Sequence, residues 1–252
     1  MVNKLEIIPI TGIPLVKEGD NIAELIVVAA KRAGTEIVDG DIVVIAHSIV
    51  SKSEGRIVKL VDVQPSRFAE NLAELTGKDP RQIEVVLKNA RKIVRIGHGV
   101  IICETFHGFV CANAGVDASN SGGEDYLITF PENPDKSANR IREEIKRITG
   151  KEVAVIISDS FGRPFRVGSV NVAIGCSGIN PLNDIRGYKD LYGRILRSKI
   201  VCIADEIASA AGLVMGEADE GIPVAIVRGL SYDRTNIPAT AIIRDAKDDL
   251  FR

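Results

Sequence analysis

VAVIISDSFGRPFRVGSVNVAIGCSG, residues 153–178, is the stretch whose reading decides the fold. Its first five residues, Val153–Ile157, are apolar and mostly β-branched, which predicts a buried strand. The strand runs straight into Ser158-Asp159-Ser160, three oxygen-bearing side chains that a core strand does not favour. Gly162, Arg163 and Pro164 then predict a turn, Arg166 adds a second cation, and Val170–Gly175 resumes as apolar strand. An acid at the mouth of a buried strand, ringed by hydroxyls and arginines, suits a metal–phosphate site. The same pattern also suits an aspartate that caps a turn beside solvated arginines.

On the upstream side, Asp135–Gly150 has the spacing of an amphipathic helix. Ile141, Ile145 and Ile148 face inward, and Glu143 stands four residues before Arg147 on the wet face. Downstream, Ile179–Arg194 is rich in glycine and polar residues and predicts irregular structure. Ser198–Ala204 predicts a strand, Asp205-Glu206 a helix start ahead of Ile207–Met215, and Pro223–Val227 a further strand.

The first half mixes the same elements. Leu5–Ile10 reads as a strand and Asp20 as the cap of a helix carrying Ile22, Leu25, Ile26 and Ala29 on one face. Asp41–Ala46 is a second buried strand, followed by His47–Arg56, a run of hydroxyls, glycine and cations that suits a phosphate-binding loop. It is not a Walker loop, because no G-x-x-x-x-G-K-[ST] occurs in the chain. Ser66 and Asp79 each open a helix, the second with Pro80 in its first turn. Lys92–Ile96, Val100–Glu104 and Gly108–Ala112, joined by glycine-containing connections, predict an antiparallel meander. Strands and helices alternate without strict βαβ order, so the fold class is α+β, with mixed and antiparallel sheets and flanking helices. Residues 1–252 read as one domain with room for two lobes, and with no linker or repeat.

Composition excludes several functions. The 32 basic residues are balanced by 34 acidic ones, and there is no tryptophan, so nothing argues for a nucleic acid or an anionic membrane as partner. No window is apolar enough for a membrane span and the start lacks a signal peptide, so the expected place is the cytoplasm. Cys103, Cys111, Cys176 and Cys202 lie singly in apolar surroundings and read as buried thiols.

Three loops carry acids at the ends of apolar runs: Asp117 with Asn120, Asp159 with Ser160, and Glu217 in Gly216–Gly221. Each reads as a surface turn when taken alone. Taken together they offer hard oxygens for Mg²⁺ or Mn²⁺, whereas His47, His98 and His107 fall in no zinc spacing.

The run SDSFGRPFRVGSVNVAIGCSG, with NAGVDASN before it, ADEIASAAGLVMGEADEGIPVAIVRGL after it and VSKSEGR near the start, resembles the coenzyme F-420:L-glutamate ligase family. The resemblance spans essentially the whole chain. It implies GTP-dependent addition of L-glutamate, through a γ-glutamyl amide, to a deazaflavin coenzyme precursor by way of an acyl phosphate. It also implies Mn²⁺ or Mg²⁺ at two sites, a response to K⁺, a family-specific fold, an intertwined homodimer, and no fused flavin nitroreductase domain. Carried onto this chain, it assigns metal contacts to Asp117, Asp159, Ser160 and Glu217, with Asp117 and Asp159 central to catalysis. It assigns nucleotide contacts to Ile10, Thr11, Gly12, Ile13, His47, Ser48, Lys52 and Asn120, with Arg163 or Arg166 as further cations. The same acids would also serve a metal-dependent nucleotide phosphohydrolase, and a non-catalytic nucleotide-binding module would need only the phosphate contacts.

Overall fold

In the computed structural model, which describes residues 4–250, the apolar runs become strands and the amphipathic patterns become helices. The first three residues of the apolar start therefore lie outside the described chain. The order is β1 (Glu6–Pro9), α1 (Ile22–Arg32), β2 (Ile42–Ala46), α2 (His47–Ser53), β3 (Ile57–Lys59), α3 (Arg67–Thr76) and α4 (Pro80–Asn89). Next come β4 (Ala90–Gly97), β5 (Val100–Thr105), β6 (Val110–Ala112), β7 (Tyr126–Ile128) and α5 (Pro134–Thr149). A long hairpin, β8 (Ala154–Arg163) and β9 (Arg166–Ser177), leads to β10 (Leu182–Asp184), β11 (Ile200–Cys202), α6 (Ile203–Met215) and β12 (Val224–Arg228).

The central sheet has the order β1-β12-β2-β8-β9, and within it only β2 and β8 run parallel. The fold is thus mixed α+β, as expected. Alternation along the strands explains why their sequences are apolar without a break. Val43, Ile45, Val155 and Ile157 pack with Ile26 of α1 and Ile141 of α5, while Ile42, Val44, Ala154 and Ile156 pack with Ile207 and Ala211 of α6. A sheet covered on both faces has no wet face on which to place polar residues. Each large aliphatic side chain buried there contributes about 1.5–3 kcal/mol, so the sheet is a firm base for whatever leaves its edge. A separate apolar cluster joins α3 and α4 to β5 through Leu72, Ile83, Val86 and Ile101. β4, β5 and β6 form the expected antiparallel meander.

Several local expectations are corrected. Strand β8 does not end at Ile157: pairing with β9 continues through Asp159↔Val172 and Ser160↔Asn171 to Arg163↔Arg166, and the turn falls at Pro164-Phe165 instead of Gly162–Pro164. The expected phosphate loop after β2 is mostly the short helix α2. Asn21, not Asp20, caps α1, its side chain accepting from the Glu24 amide, while Asp20 accepts from the Lys17 amide. Strand β11 is shorter than expected because α6 already starts at Ile203. Asp205 and Glu206 therefore sit in its first turn, and Asp205 accepts from the Ala173 amide of β9. On α5 Arg147 pairs with Glu144 instead of Glu143, and Ile148 is partly exposed. The irregular 179–194 span contains β10, paired with β11. All four cysteines are free thiols; three are buried and Cys202 is partly so.

Candidate functional site

Strand β2 stops where Ala46 faces Ser158, so Asp159 is the first residue of β8 with β9 but no β2 beside it. The carboxyl end of a parallel strand pair opens a crevice of this kind because one chain has turned away into a helix. Other segments end at the same edge. The Ile10 amide donates to Val224 O (2.9 Å) and the Ala46 amide to Pro223 O (2.9 Å), which brings the loop after β1 and the loop before β12 beside His47.

His47, the first residue of α2, is 4 % exposed. Its Nε2 lies 3.3 Å from Asp159 Oδ1 and its Nδ1 3.4 Å from Ser51 Oγ. A carboxylate accepts, so Nε2 carries the proton and the Ser51 hydroxyl can donate to Nδ1. Phe130 meets the imidazole edge-on, with ring centroids 5.0 Å apart. Next to Asp159, the Ser158 hydroxyl is buried without a hydrogen-bond partner.

Asp117 is placed by an unusual turn. Asn113, Ala114 and Gly115 all have positive φ (51°, 54° and 70°), a left-handed run that costs a non-glycine residue about 1 kcal/mol. Gly115 is required for a second reason: a Cβ there would meet the Phe130 ring at 2.2 Å. The turn delivers Asp117 to a backbone bridge with Ile128, and its carboxylate accepts from the Ser119 amide (2.8 Å) and hydroxyl (2.6 Å). Lys52 of α2 is half-buried; burial pushes its ammonium below the usual lysine range, and the negative charge of Asp117 offsets part of that.

The third loop is tied to the other two. Asn120 Nδ2 donates to Ala218 O (3.2 Å), and Asn171 Nδ2 donates to Glu217 Oε1 (2.8 Å). Asn171 stands opposite Ser160 in the hairpin. Asp117, Asn120, Asp159, Ser160 and Glu217 thus belong to one connected edge, together with His47 and Lys52. Ser48, half-buried, follows His47 on α2. Ile10 is buried at the edge, Thr11 and Gly12 are exposed, and Ile13 packs on the core. Arg163 and Arg166 are not gathered there. At about 3.3 Å per residue, Arg163 is about 13 Å along the strand from Asp159.

Two residues of this edge escape a reading of the sequence. Asn171 interrupts an apolar strand, which is a signal of a kind, but its partner Glu217 is distant in sequence. Phe130 gives no local signal at all.

Among the described residues, no three His, Cys, Asp or Glu side chains form a ready metal cage. Mg²⁺-type ions do not need one, since they keep several waters and take one or two carboxylates plus substrate phosphate. The donors at this edge are carboxylates and hydroxyls, with one imidazole, His47, engaged by Asp159, while the Cys111 thiol is buried and pushed toward the neutral form by desolvation. Such a set fits Mg²⁺ or Mn²⁺ and not a thiophilic metal.

The family model described as F420-0:Gamma-glutamyl ligase matches residues 11–229. The chain is similar to the Coenzyme F420:L-glutamate ligase of Methanothermobacter thermautotrophicus, at 48% identity over 98% of this chain and 99% of the relative. It is also similar to the proteins of the same name from Methanopyrus kandleri (51% identity, 94% and 93% covered) and Methanocaldococcus jannaschii (50%, 99% and 97%).

Proposed function

The chain belongs to the F420-0:gamma-glutamyl ligase family, and on that premise we propose that it is an amide-forming ligase that joins L-glutamate to the carboxylate of a deazaflavin coenzyme precursor at the expense of GTP. The observation that carries the assignment of the site is Asp159, a carboxylate set just beyond the end of the parallel pair, with His47 as its only polar side-chain partner among the described residues.

A carboxylate is a poor electrophile, so the reaction divides into two steps. The acceptor carboxylate attacks the γ-phosphorus of GTP, forming an acyl phosphate and releasing GDP. The glutamate amine then attacks the acyl carbon, loses a proton, and expels inorganic phosphate as the amide forms. Both steps depend on positioning and charge neutralisation more than on a protein nucleophile. Lys52 supplies a cation whose partial burial raises its attraction for a phosphate oxygen. His47 orients Asp159, and the Ser119 amide and hydroxyl orient Asp117. The Asn120–Ala218 and Asn171–Glu217 contacts hold the third loop against the other two, which keeps the acids at fixed separations. Mg²⁺ or Mn²⁺, held by the oxygens of Asp117, Asp159, Ser160 and Glu217, would neutralise phosphate charge when bound. Nucleotide contacts fall to Ile10–Ile13, Ser48, Lys52 and Asn120.

The reading includes a second copy of the chain. Val167 at the hairpin tip and Leu191 and Tyr192 on the 179–199 excursion are almost completely exposed, and apolar surface of that kind is what a homodimer would cover. Among the described residues no helix is long and apolar enough to cross a membrane.

The test is mass spectrometry of the deazaflavin precursor after incubation with GTP, Mn²⁺ and L-glutamate. The expected result is the mass gain of a glutamyl residue, with phosphate release that requires glutamate. Phosphate release at the same rate without glutamate, and no glutamylated product, would identify a nucleotide phosphohydrolase instead.

A further inference from the structure

We propose that a cleft of about 770 Å³, between β4–β5 and the segment 240–246, receives the carboxylate-bearing acceptor, to which the edge described above assigns no residue. The inference rests on the ligase reading for the identity of the ligand, and on the following observations for the site.

The cleft is cationic. Arg91, Lys92 and Arg244 line it together with Glu104 and His107. Arg91 lies 3.7 Å from Glu104, and Asp245 lies 3.2 Å from Lys247. Glu104 faces Lys92 across the β4–β5 pairing and Asp245 also lines the cleft, so three cations stand against two acids and the walls carry a net excess of one positive charge. An anionic ligand is the chemistry that such walls select.

Behind the lining of the cleft lies an unsatisfied polar atom. His107 Nε2 lies 3.0 Å from Glu132 O, and a carbonyl only accepts, so Nε2 carries the proton. Its Nδ1 is buried with no hydrogen-bond partner.

Construction of the cleft is specific. Gly108 has φ of 95°, and a Cβ there would come within 3.0 Å of Ile243 Cδ1, so glycine lets the 240–246 segment close against the turn. Ile243 in turn packs on the core.

Finally, aromatic contacts connect the cleft to the candidate active edge. The ring centroids of His107 and Phe130 are 6.1 Å apart, and those of Phe130 and His47 5.0 Å. Phe130 also covers Gly115, two residues before Asp117. The rings of Phe130 and His47 are thus what separates His107, on the wall of the cleft, from Asp159. The volume falls in the range of about 300–1,000 Å³ typical of sites for drug-sized ligands, and L-glutamate would leave most of it empty.

The experiment compares the intact chain with the Lys92→Glu/Arg244→Glu double variant. Both positions are exposed, so the fold is expected to stand, and circular dichroism verifies that it does. The Kd of the unglutamylated deazaflavin precursor, measured by equilibrium dialysis without GTP, is expected to rise at least tenfold, as is its apparent KM. The apparent KM for GTP should not change. An unchanged Kd for the precursor, or a KM increase confined to GTP or glutamate, overturns the proposal. If the intact chain binds the precursor and the double variant does not, yet no amide ever forms, the cleft stands and the ligase reading falls.

Discussion

Asp41 and Asp159 stand at opposite ends of the same parallel pair, β2 and β8, and they are held in opposite ways. Asp41 precedes β2 and is completely buried. Arg228 grips it with two hydrogen bonds of 2.8 Å, and the Val38 amide adds a third of 2.9 Å. The arginine also donates to Glu36 O, so both charges are well satisfied. Asp159, at the other end, lies 3.3 Å from one imidazole, beside a serine hydroxyl with no partner. Charge alone does not mark a functional acid. Spare acceptor capacity does, and only Asp159 has it.

Substitutions sharpen that contrast. The largest effect is expected from Asp159→Asn, which keeps the shape and removes the charge. Turnover should fall by about 10²-fold or more, the scale of losing a group that neutralises developing phosphate charge. Tm should stay within a few degrees, because little stability is invested in a single 3.3 Å contact. Near-normal kcat in this variant would break the contrast from the functional side.

Asp41→Asn should do the reverse. It takes the charge partner from a half-buried guanidinium, which costs roughly 2 kcal/mol and lowers Tm by about 4–8 °C in a chain of this size. Turnover at a temperature where the variant is folded should match that of the parent. A loss of kcat without a loss of Tm would show that the two ends are not separate.

How much of this was legible in the sequence follows from the range of each signal. The strands Asp41–Ala46 and Val153–Ile157 were readable because burial on both faces leaves an uninterrupted apolar run. Asp117, Asp159 and Glu217 were readable as acids after such runs, and their linkage through Asn120 and Asn171 was not, because it depends on tertiary contacts. Asp41 passed as the first residue of a strand, since its partner Arg228 is 187 residues away. Helix α2 was missed because seven residues are too few to show a period. Asp20 and Asn21 are adjacent residues of equal capping ability, and only the backbone chooses between them.

A smaller effect is expected at Lys52, which belongs to the open end but carries a burial cost of its own. Lys52→Met should raise the apparent KM for GTP about tenfold or more, the worth of one charged hydrogen bond. It should also leave the free enzyme at least as stable as the parent. Burial lowers the folded-state pKa of Lys52, so the cost of its charge is fully present below that pKa. That cost fades as pH rises toward the unfolded value of about 10.4. The gain in Tm from Lys52→Met should therefore be greatest near neutral pH and vanish in alkali. An unchanged KM would return Lys52 to the role of a solvated cation.

The central claim, that the open end of the parallel pair carries amide formation through an acyl phosphate, is tested most directly by oxygen labelling. With ¹⁸O in both carboxylate oxygens of the acceptor, one labelled oxygen must leave with phosphate for every amide formed. The account predicts one ¹⁸O per released phosphate, with Asp159→Asn reducing labelled phosphate and amide product together. Phosphate that carries only solvent oxygen, at full rate and without glutamylated product, would contradict it.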